Sequence, residues 1–326
     1  MSRRPDYHLV VDGTVITPRV RGRLVSLTLN DRRGGDADEL DLVLSDHDGR
    51  IAMPRRGASI EVSIGWADTG LVNRGSYTVD EVEHSGAPDQ LSIRARSANL
   101  RESLPGRRTQ SWHGVTLGDI VRTIAGRHNL IASITPELSA RAIAHLDQSD
   151  ESDMHLLSRL AEIHDGIATV KADHLLFIVT GAATTASGAA IPPVTITREL
   201  GDQHRFSVTD RDAYTGVIAH WQDIDGGERR QVTAGTDDHA KTLRTTYASE
   251  TDALDAARGE WRRIQRGTAE LTLTIAHGRP TLYPETPATL SGWRPEIDGA
   301  DWVIANVEHS LVDSAYTGKV ELERKA

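Results

Sequence analysis

The chain contains no cysteine in its 326 residues, and aromatic side chains make up only 4% of it. The lack of cysteine excludes disulfides, metal sites built on thiolates and a cysteine nucleophile. No run approaches the ~18 apolar residues that indicate a membrane-spanning helix. The N-terminus also lacks the apolar stretch of a signal peptide. We therefore expect a protein that is made and folds in a cytoplasm and does not insert into membranes.

Positive charge is scarce relative to negative charge. Lys and Arg number 37 against 47 Asp and Glu, so the net charge is −10 and the pI is about 5.8. This balance argues against duplex nucleic acid as the main partner, because phosphate binding needs a basic face. The hydrophobic share of 38%, with 28 glycines, permits a sizeable core built mainly from aliphatic residues. At this length we expect two or three domains.

One tetrapeptide, Val-Glu-His-Ser, occurs twice, at 82–85 and at 307–310. Each copy follows an alternating strand, a proline, a tryptophan and a second short strand. In the first these are Leu40–Leu44, Pro54, Trp66 and Tyr77–Val79, and in the second Leu271–Ile275, Pro284, Trp293 and Trp302–Ile304. The same order at similar spacing predicts one β module used twice, formed by internal duplication.

The two copies also share an irregularity. Alternation places Tyr77 and Val79 on one face, yet the next apolar residue is Val82 rather than residue 81. The second copy shows the same change of parity between Ile304 and Val307. A β-bulge shifts parity in this way. We therefore predict bulges near Asp80-Glu81 and near Ala305-Asn306.

The predicted fold class is mainly β with an α/β insert (α+β). Residues 1–105 form a first antiparallel β domain, whose first long strand is Val20–Asn30. Residues 106–180 form the insert, with one helix capped by Thr116 and Asp119, a second beginning near Ser149–Asp153, and a β-hairpin over Ile167–Val179. Residues 181–193 are a linker. Residues 194–326 form a second β domain with one helix at about 250–266.

No catalytic, cofactor-binding or metal-binding residue is predicted. The fourteen histidines fit no catalytic motif, and we interpret His84 and His309 as structural residues that make hydrogen bonds at strand ends. Asp46–Ile51 opens like a calcium loop, but its twelfth position is Gly57 instead of the bidentate Glu. We interpret this segment as a turn that connects two strands. The acidic residues Asp147, Asp150, Glu151 and Asp153 could hold a glycosidase pair. We interpret them as charge at the N-terminus of the second helix.

Several stretches together resemble the phage late control gene D protein family, the baseplate hub proteins of contractile-tailed phages and tail-like particles. They are Asp46–Ile51, Ile64–Trp66, Tyr77–Gly86, Ser111–His113 with Thr116–Val121, His145–Asp153 and Asp210–Val217. The similarity extends over nearly the whole chain, and the last two stretches are the most distinctive.

The resemblance implies a structural role in the virion tail baseplate. Hubs of this family have two tail-tube-type β domains in each chain, and three chains form a pseudo-hexagonal ring. The expected partners are two further copies of the chain, the central spike protein, the tail tube or its initiator, and other baseplate proteins. DNA is expected only as cargo that passes through the lumen, where an acidic wall would let it slide. The resemblance does not define the residues that contact these partners.

Two alternative functions stay open. A peptidoglycan hydrolase at the tail tip would need an acid/base pair in a cleft, and its candidates are Glu81, Glu83 and the acidic residues at 147–153. A host- or carbohydrate-binding module would group exposed aromatic side chains on one face. The six tryptophans are dispersed along the chain, which favours their use as core anchors.

Overall fold

The computed structural model describes residues 3–34, 37–97, 106–171, 174–183, 185, 189–208, 214–312 and 314–325. The predicted boundary at 105/106, the hairpin turn at 172–173, part of the linker at 184 and 186–188, and the stretch 210–213 lie outside these residues. The three predicted boundaries, at 105/106, 180/181 and 193/194, stay predictions. No helix in the described ranges is long and apolar enough to cross a membrane.

The described chain is mostly β, with short helices. Its strands are β1 (Pro5–Val11), β2 (Thr14–Val15), β3 (Leu24–Arg32), β4 (Glu39–Ser45), β5 (Ser59–Trp66), β6 (Gly70–Ser85), β7 (Gln90–Ser97), β8 (Arg107–Thr116), β9 (Ile131–Ile134), β10 (Ala142–Ser152), β11 (Gly166–Lys171), β12 (His174–Val179), β13 (Val194–Thr197), β14 (Gly201–Val208), β15 (Gly216–Asp223), β16 (Glu228–Gly235), β17 (Ala240–Tyr247), β18 (Ala269–Ile275), β19 (Pro287–Ser291), β20 (Trp302–Val312) and β21 (Ala315–Arg324). The helices are α1 (Thr17–Val20), α2 (Leu117–Arg127), α3 (Pro136–Ser139), α4 (Asp153–Ile163), α5 (Glu250–Arg266) and α6 (Pro295–Asp298).

A single long sheet runs through both ends of the chain. Its strand order is β14-β18-β21-β20-β3-β4-β7-β6-β5-β1-β2, and β19 lies beside β20 with β13 beyond it. We call β1–β7 the first β module and β13, β14 and β18–β21 the second β module. The order β14-β18-β21-β20 in the second matches β3-β4-β7-β6 in the first, and the antiparallel pair β20·β3 joins them.

Alternation of apolar residues makes one face of these strands buried. In β4, Leu40, Leu42 and Leu44 are buried while the residues between them are less so. Such faces form one core under each module. The prediction of a strand from Val20 is wrong at its start, because Thr17–Val20 is a helical turn. The Thr17 hydroxyl accepts the Leu9 backbone N–H, which holds this turn against β1.

Both predicted bulges are present. The register of β6 against β7 shifts between Val79 and Glu81, and that of β20 against β21 shifts between Ile304 and Asn306. The sheet also contains a pair of shifts that the sequence pattern did not reveal. These lie between Leu24 and Ser26 on β3, and between Gly201 and His204 on β14.

Residues 106–179 carry α2–α4 and two small sheets, β8·β10 and β11-β12-β9. The predicted cap is confirmed: Thr116 accepts the Asp119 N–H at 3.1 Å, and the Asp119 carboxylate accepts the Thr116 N–H at 3.0 Å. β11 and β12 pair antiparallel, as the predicted hairpin requires. The apolar faces of α2 and α4 pack with these strands into a core of their own.

The helix predicted at about 250–266 is α5, Glu250–Arg266. β15, β16 and β17 form a separate three-stranded sheet that packs on α5. Val217 and Ala219 of β15 and Ala253 and Ala257 of α5 meet in this core. Alternation of apolar residues along β15 is typical of a strand, but it does not show which sheet the strand joins.

Candidate functional site

The acidic residues at 147–153 do not form a free catalytic pair. Asp150 and Glu151 lie on β10 and are ion-paired with Arg107 and Arg159, both at 2.8 Å. Asp153 is buried. Burial by itself raises the pKa of Asp153, but hydrogen bonds from Gln148 and His128 and nearby arginines lower it overall. The interpretation as helix-terminal charge is only partly right, since Asp153 alone lies in the first turn of α4 and Ser152 is the cap.

Ser111, Asp147, His145 and His113 lie together on the β8·β10 ribbon, but in the wrong order for a nucleophilic triad. The Ser111 hydroxyl donates to Asp147 at 2.6 Å, and this hydrogen bond is the main reason that the pKa of Asp147 is lowered. His145 contacts Asp147 through Nε2 and His113 through Nδ1. A serine nucleophile needs a hydrogen bond to the imidazole base, which Ser111 lacks.

We expect the purified chain to leave peptidoglycan intact. In a zymogram of bacterial cell walls it should give no clearing beside a lysozyme control, and Glu151→Gln should be indistinguishable from the parent chain. A clear zone from the parent chain that Glu151→Gln abolishes would contradict a purely structural role.

The segment Asp46–Ile51 is a turn. The Asp46 carboxylate accepts the Ile51 N–H at 3.0 Å, and Asp48 forms a two-pronged pair with Arg23 at 2.6 Å. The Arg23 hydrogen bonds hold the pKa of Asp48 far below its ordinary value. Within the described ranges no group of three or more His, Asp or Glu residues could hold a metal ion. Interpretation of this segment as a strand connection therefore fits its contacts.

The junction between the two β modules is the most heavily built polar site in the chain. Seven residue pairs, from Asn306↔Arg32 to Val312↔Ser26, join β20 to β3. Beneath them Arg74 of β6 forms a buried ion pair with Asp31, and the side chains are 0% and 5% exposed. Arg74 also donates to the carbonyl of Pro280 at 2.9 Å and covers the Tyr283 ring at 3.9 Å.

Aromatic side chains close the same junction. The Trp66 indole N–H donates to the Gly278 carbonyl at 2.9 Å, and its ring lies 5.3 Å from that of Tyr316. Gly278 has to be glycine here, since a Cβ would lie 2.4 Å from the Tyr316 ring. Across the junction, the first module thus contributes the donors Arg74 and Trp66, and the segment between β18 and β19 contributes the carbonyl acceptors.

His309 also belongs to this junction, which corrects part of the prediction. It lies inside β20, three residues before the strand ends, and is fully buried. Its Nδ1 lies 2.8 Å from the Tyr316 hydroxyl. Burial, with a contribution from the Arg74 charge, lowers the pKa of His309 to about 3. His84 does lie at a strand end, where its Nε2 is 3.5 Å from Asp46.

An ion network ties the junction to the region of α4 and α5. Arg33, which follows β3, pairs with Glu285 and Glu323 of the second module. Arg266, at the end of α5, pairs with Glu323 at 3.3 Å and with Asp165, which lies just beyond α4. A cleft of about 600 Å³ lies here, and of its three carboxylates Asp165 and Glu323 are paired with arginine while Glu162 is exposed to solvent. The other acid candidates are on the surface, where Glu81 pairs with Arg94 at 3.0 Å and Glu83 is exposed.

Comparison with known proteins identifies the family. A model of the phage tail baseplate hub family (GPD) matches residues 38–315. The chain belongs to the phage tail baseplate hub family. A probable baseplate hub protein of Escherichia phage P2 is 43% identical, covering 98% of this chain and 93% of the relative. That of Escherichia phage 186 is 40% identical, covering 99% and 94%.

The fold agrees with this family. The 43 kDa tail protein of prophage MuSo2 from Shewanella oneidensis superimposes with a TM-score of 0.70 at 14% identity, over 98% of both chains. The resemblance in the sequence correctly predicted a baseplate hub, and such a hub is a component of the virion tail. Sequence reasoning missed the junction residues Asp31, Arg74 and Tyr316. The signal of Asp31 and Arg74 was weak, because a charged residue inside an alternating strand is usually exposed to solvent.

Proposed function

We propose that this hub protein is a homotrimeric adaptor that joins a six-fold tail tube to a three-fold central spike. The observation that supports the proposal is the long sheet, in which one strand order appears twice side by side. Together with the matched register shifts, this order is what an internal duplication would leave. Two like modules in each of three chains present six similar faces, which resolves the symmetry mismatch.

A structural role fits the chemistry of the chain better than hydrolysis does. The relatives are named as baseplate hub proteins, and the candidate carboxylates are ion-paired or exposed. The partners that we propose are two further copies of the chain, the spike protein, the tube or its initiator, and other baseplate proteins. DNA would meet the hub only in passing, and the net charge of −10 suits a lumen that repels it.

Trimer formation is the direct test. Mass photometry of the chain mixed with its spike protein should show three chains of 35.6 kDa per spike trimer. The chain alone at the same concentration serves as the control, since assembly can depend on the spike. A dimer or a tetramer of the chain in the complex would rule out the proposed pseudo-hexagonal ring.

A further inference from the structure

The edge of β20 that faces away from β21 pairs with two different segments along its length. As far as Ile304 it pairs with the segment that enters β19: Ile304 donates to the Thr286 carbonyl at 3.0 Å, and Glu285 donates to the Ile304 carbonyl at 2.8 Å. From Asn306 onward the same side pairs with β3 of the first module. The junction therefore begins at the bulge.

The edge of β6 that faces away from β7 has a partner equivalent to the first of these segments. Among the described residues it has no partner equivalent to the second. Val79 donates to the Ala58 carbonyl at 2.9 Å and accepts from Gly57 at 2.8 Å, the same pattern as at Ile304. Beyond the bulge, from Glu81 to Ser85, β6 pairs only with β7 among the described residues. This half of the strand is an open edge at the position where β20 binds β3.

Among the residues that the structure describes, the complementary open edge belongs to β14. It occupies the place in the second module that β3 occupies in the first, and it ends the long sheet. The equivalence of β14 and β3 follows from the residues that lie opposite one another across each module. Across β6, β7, β4 and β3 these are Val82, Ile93, Leu42 and Leu27. Across β20, β21, β18 and β14 they are Val307, Val320, Leu273 and His204. His204 of β14 is thus the counterpart of Leu27 of β3.

We propose that the open edge of β6, Glu81–Ser85, pairs antiparallel with β14 of a second copy of the chain, in the register of β20·β3. The inference rests on the proposed self-assembly of the hub and specifies the strands that carry it. In β20·β3, Val307 lies opposite Asp31, four residues beyond Leu27. Transferred to two chains, the opposed pairs are Val82 with Val208, Glu83 with Ser207, His84 with Phe206, and Ser85 with Arg205.

The side chains on the two edges are complementary in this register. Val208 is 66% exposed although it lies on the same face as Phe206, which packs in the core of the second module. Its partner would be Val82, which is half-buried against the core of the first module. The pair would cover apolar surface that a single chain leaves in water.

Charge on the opposite face is complementary as well. Glu83 and Arg205 are exposed, and neither has an ion-pair partner in the described part of the chain. The register places them diagonally across the two strands, a distance that long side chains can bridge. An open edge normally needs protection against unspecific pairing, and a matched partner strand provides it.

Because the chain has no cysteine, a disulfide between designed thiols can test the register without background. The test pair is Ser85→Cys with Arg205→Cys in one chain. The matched control is Thr28→Cys with Ser310→Cys, the equivalent pair inside the junction. A second control, His84→Cys with Arg205→Cys, slips the register by one residue. Each variant is the sole copy of the chain in purified tail particles, which are oxidised and run on a non-reducing gel.

We expect the test pair to form species of two and three times the chain mass of 35.6 kDa. It should give at least about tenfold more cross-linked chain than the slipped pair, whose thiols face opposite sides of the sheet. The Thr28/Ser310 control should close within one chain. Val82→Cys with Val208→Cys provides a second test of the same register if the first pair prevents assembly.

The outcomes separate this inference from the proposed function. If the Thr28/Ser310 control closes and both test pairs stay as single chains, the edge pairing is wrong, even where an amine cross-linker still shows trimers. If the test pairs link two chains and never three, the edges pair but the three-fold ring is wrong. A covalent trimer supports both.

Discussion

Replacement of Arg74 by methionine is expected to destabilise the folded chain by about 3–5 kcal/mol, the usual cost of removing one partner from a buried ion pair. Arg74 and Asp31 are almost completely buried. Methionine keeps much of the volume, but it removes the counter-charge of the Asp31 carboxylate and the hydrogen bonds that Arg74 donates to the carbonyls of Pro280 and Leu282. The loss should appear in a urea titration followed by tryptophan fluorescence, since Trp66 lies in the same junction.

Two variants show whether burial of the pair causes this loss. Arg94→Met removes an ion pair with Glu81 whose side chains are 64% and 56% exposed, so it should cost no more than about 1 kcal/mol. Arg74→Met combined with Asp31→Leu removes both charges and should recover most of the stability. Equal losses for Arg74→Met and Arg94→Met would show that the junction does not depend on the buried pair.

The second large effect is a loss of stability in acid that originates at His309. The folded pKa of about 3 lies below the ordinary value of 6.5, because the ring is buried and lies near Arg74. The unfolded chain therefore binds a proton that the folded chain rejects. The contribution is fully present above pH 6.5 and is lost as the pH falls towards the folded pKa. Between pH 7 and pH 4 the loss is roughly 3 kcal/mol, at about 1.4 kcal/mol per pH unit.

His309→Gln should remove this share of the pH dependence, although it also lowers stability at pH 7 by losing the contact with Tyr316. The matched control is His84→Gln, which changes the same residue of the repeated tetrapeptide at an exposed position. Urea titrations from pH 4 to pH 7 would measure the slopes. Parallel curves for the parent chain and His309→Gln would show that the acid sensitivity arises elsewhere.

The features that were predicted correctly are local ones. Thr116 and Asp119 lie three residues apart, and the bulges follow from the parity of residues within one strand. The β20·β3 pair instead joins residues more than two hundred positions apart, and alternation does not encode which edge a strand meets. The same limit explains why the sequence does not show that β15, β16 and β17 form a sheet of their own.

The repeated tetrapeptide shows a further limit of sequence reasoning. His84 and His309 have identical neighbours in sequence, yet one is exposed and the other buried, because only β20 has the first module beside it. Glu285 provides a similar case. It takes the left-handed conformation that Gly57 takes at the equivalent position, with φ of 68° and 82°. Its carboxylate accepts the Gly181 N–H, and no pattern in the sequence indicated this.

The β20·β3 pair also has a mechanical consequence. Domains of one chain usually rotate about a few linker residues whose φ and ψ angles are free to change. Here seven opposed residue pairs of antiparallel strand connect the two modules. Bending between the modules would require these hydrogen bonds to stretch together, so the two modules move as one stiff unit. The angle between neighbouring faces is then fixed when each chain folds, before any second chain is bound.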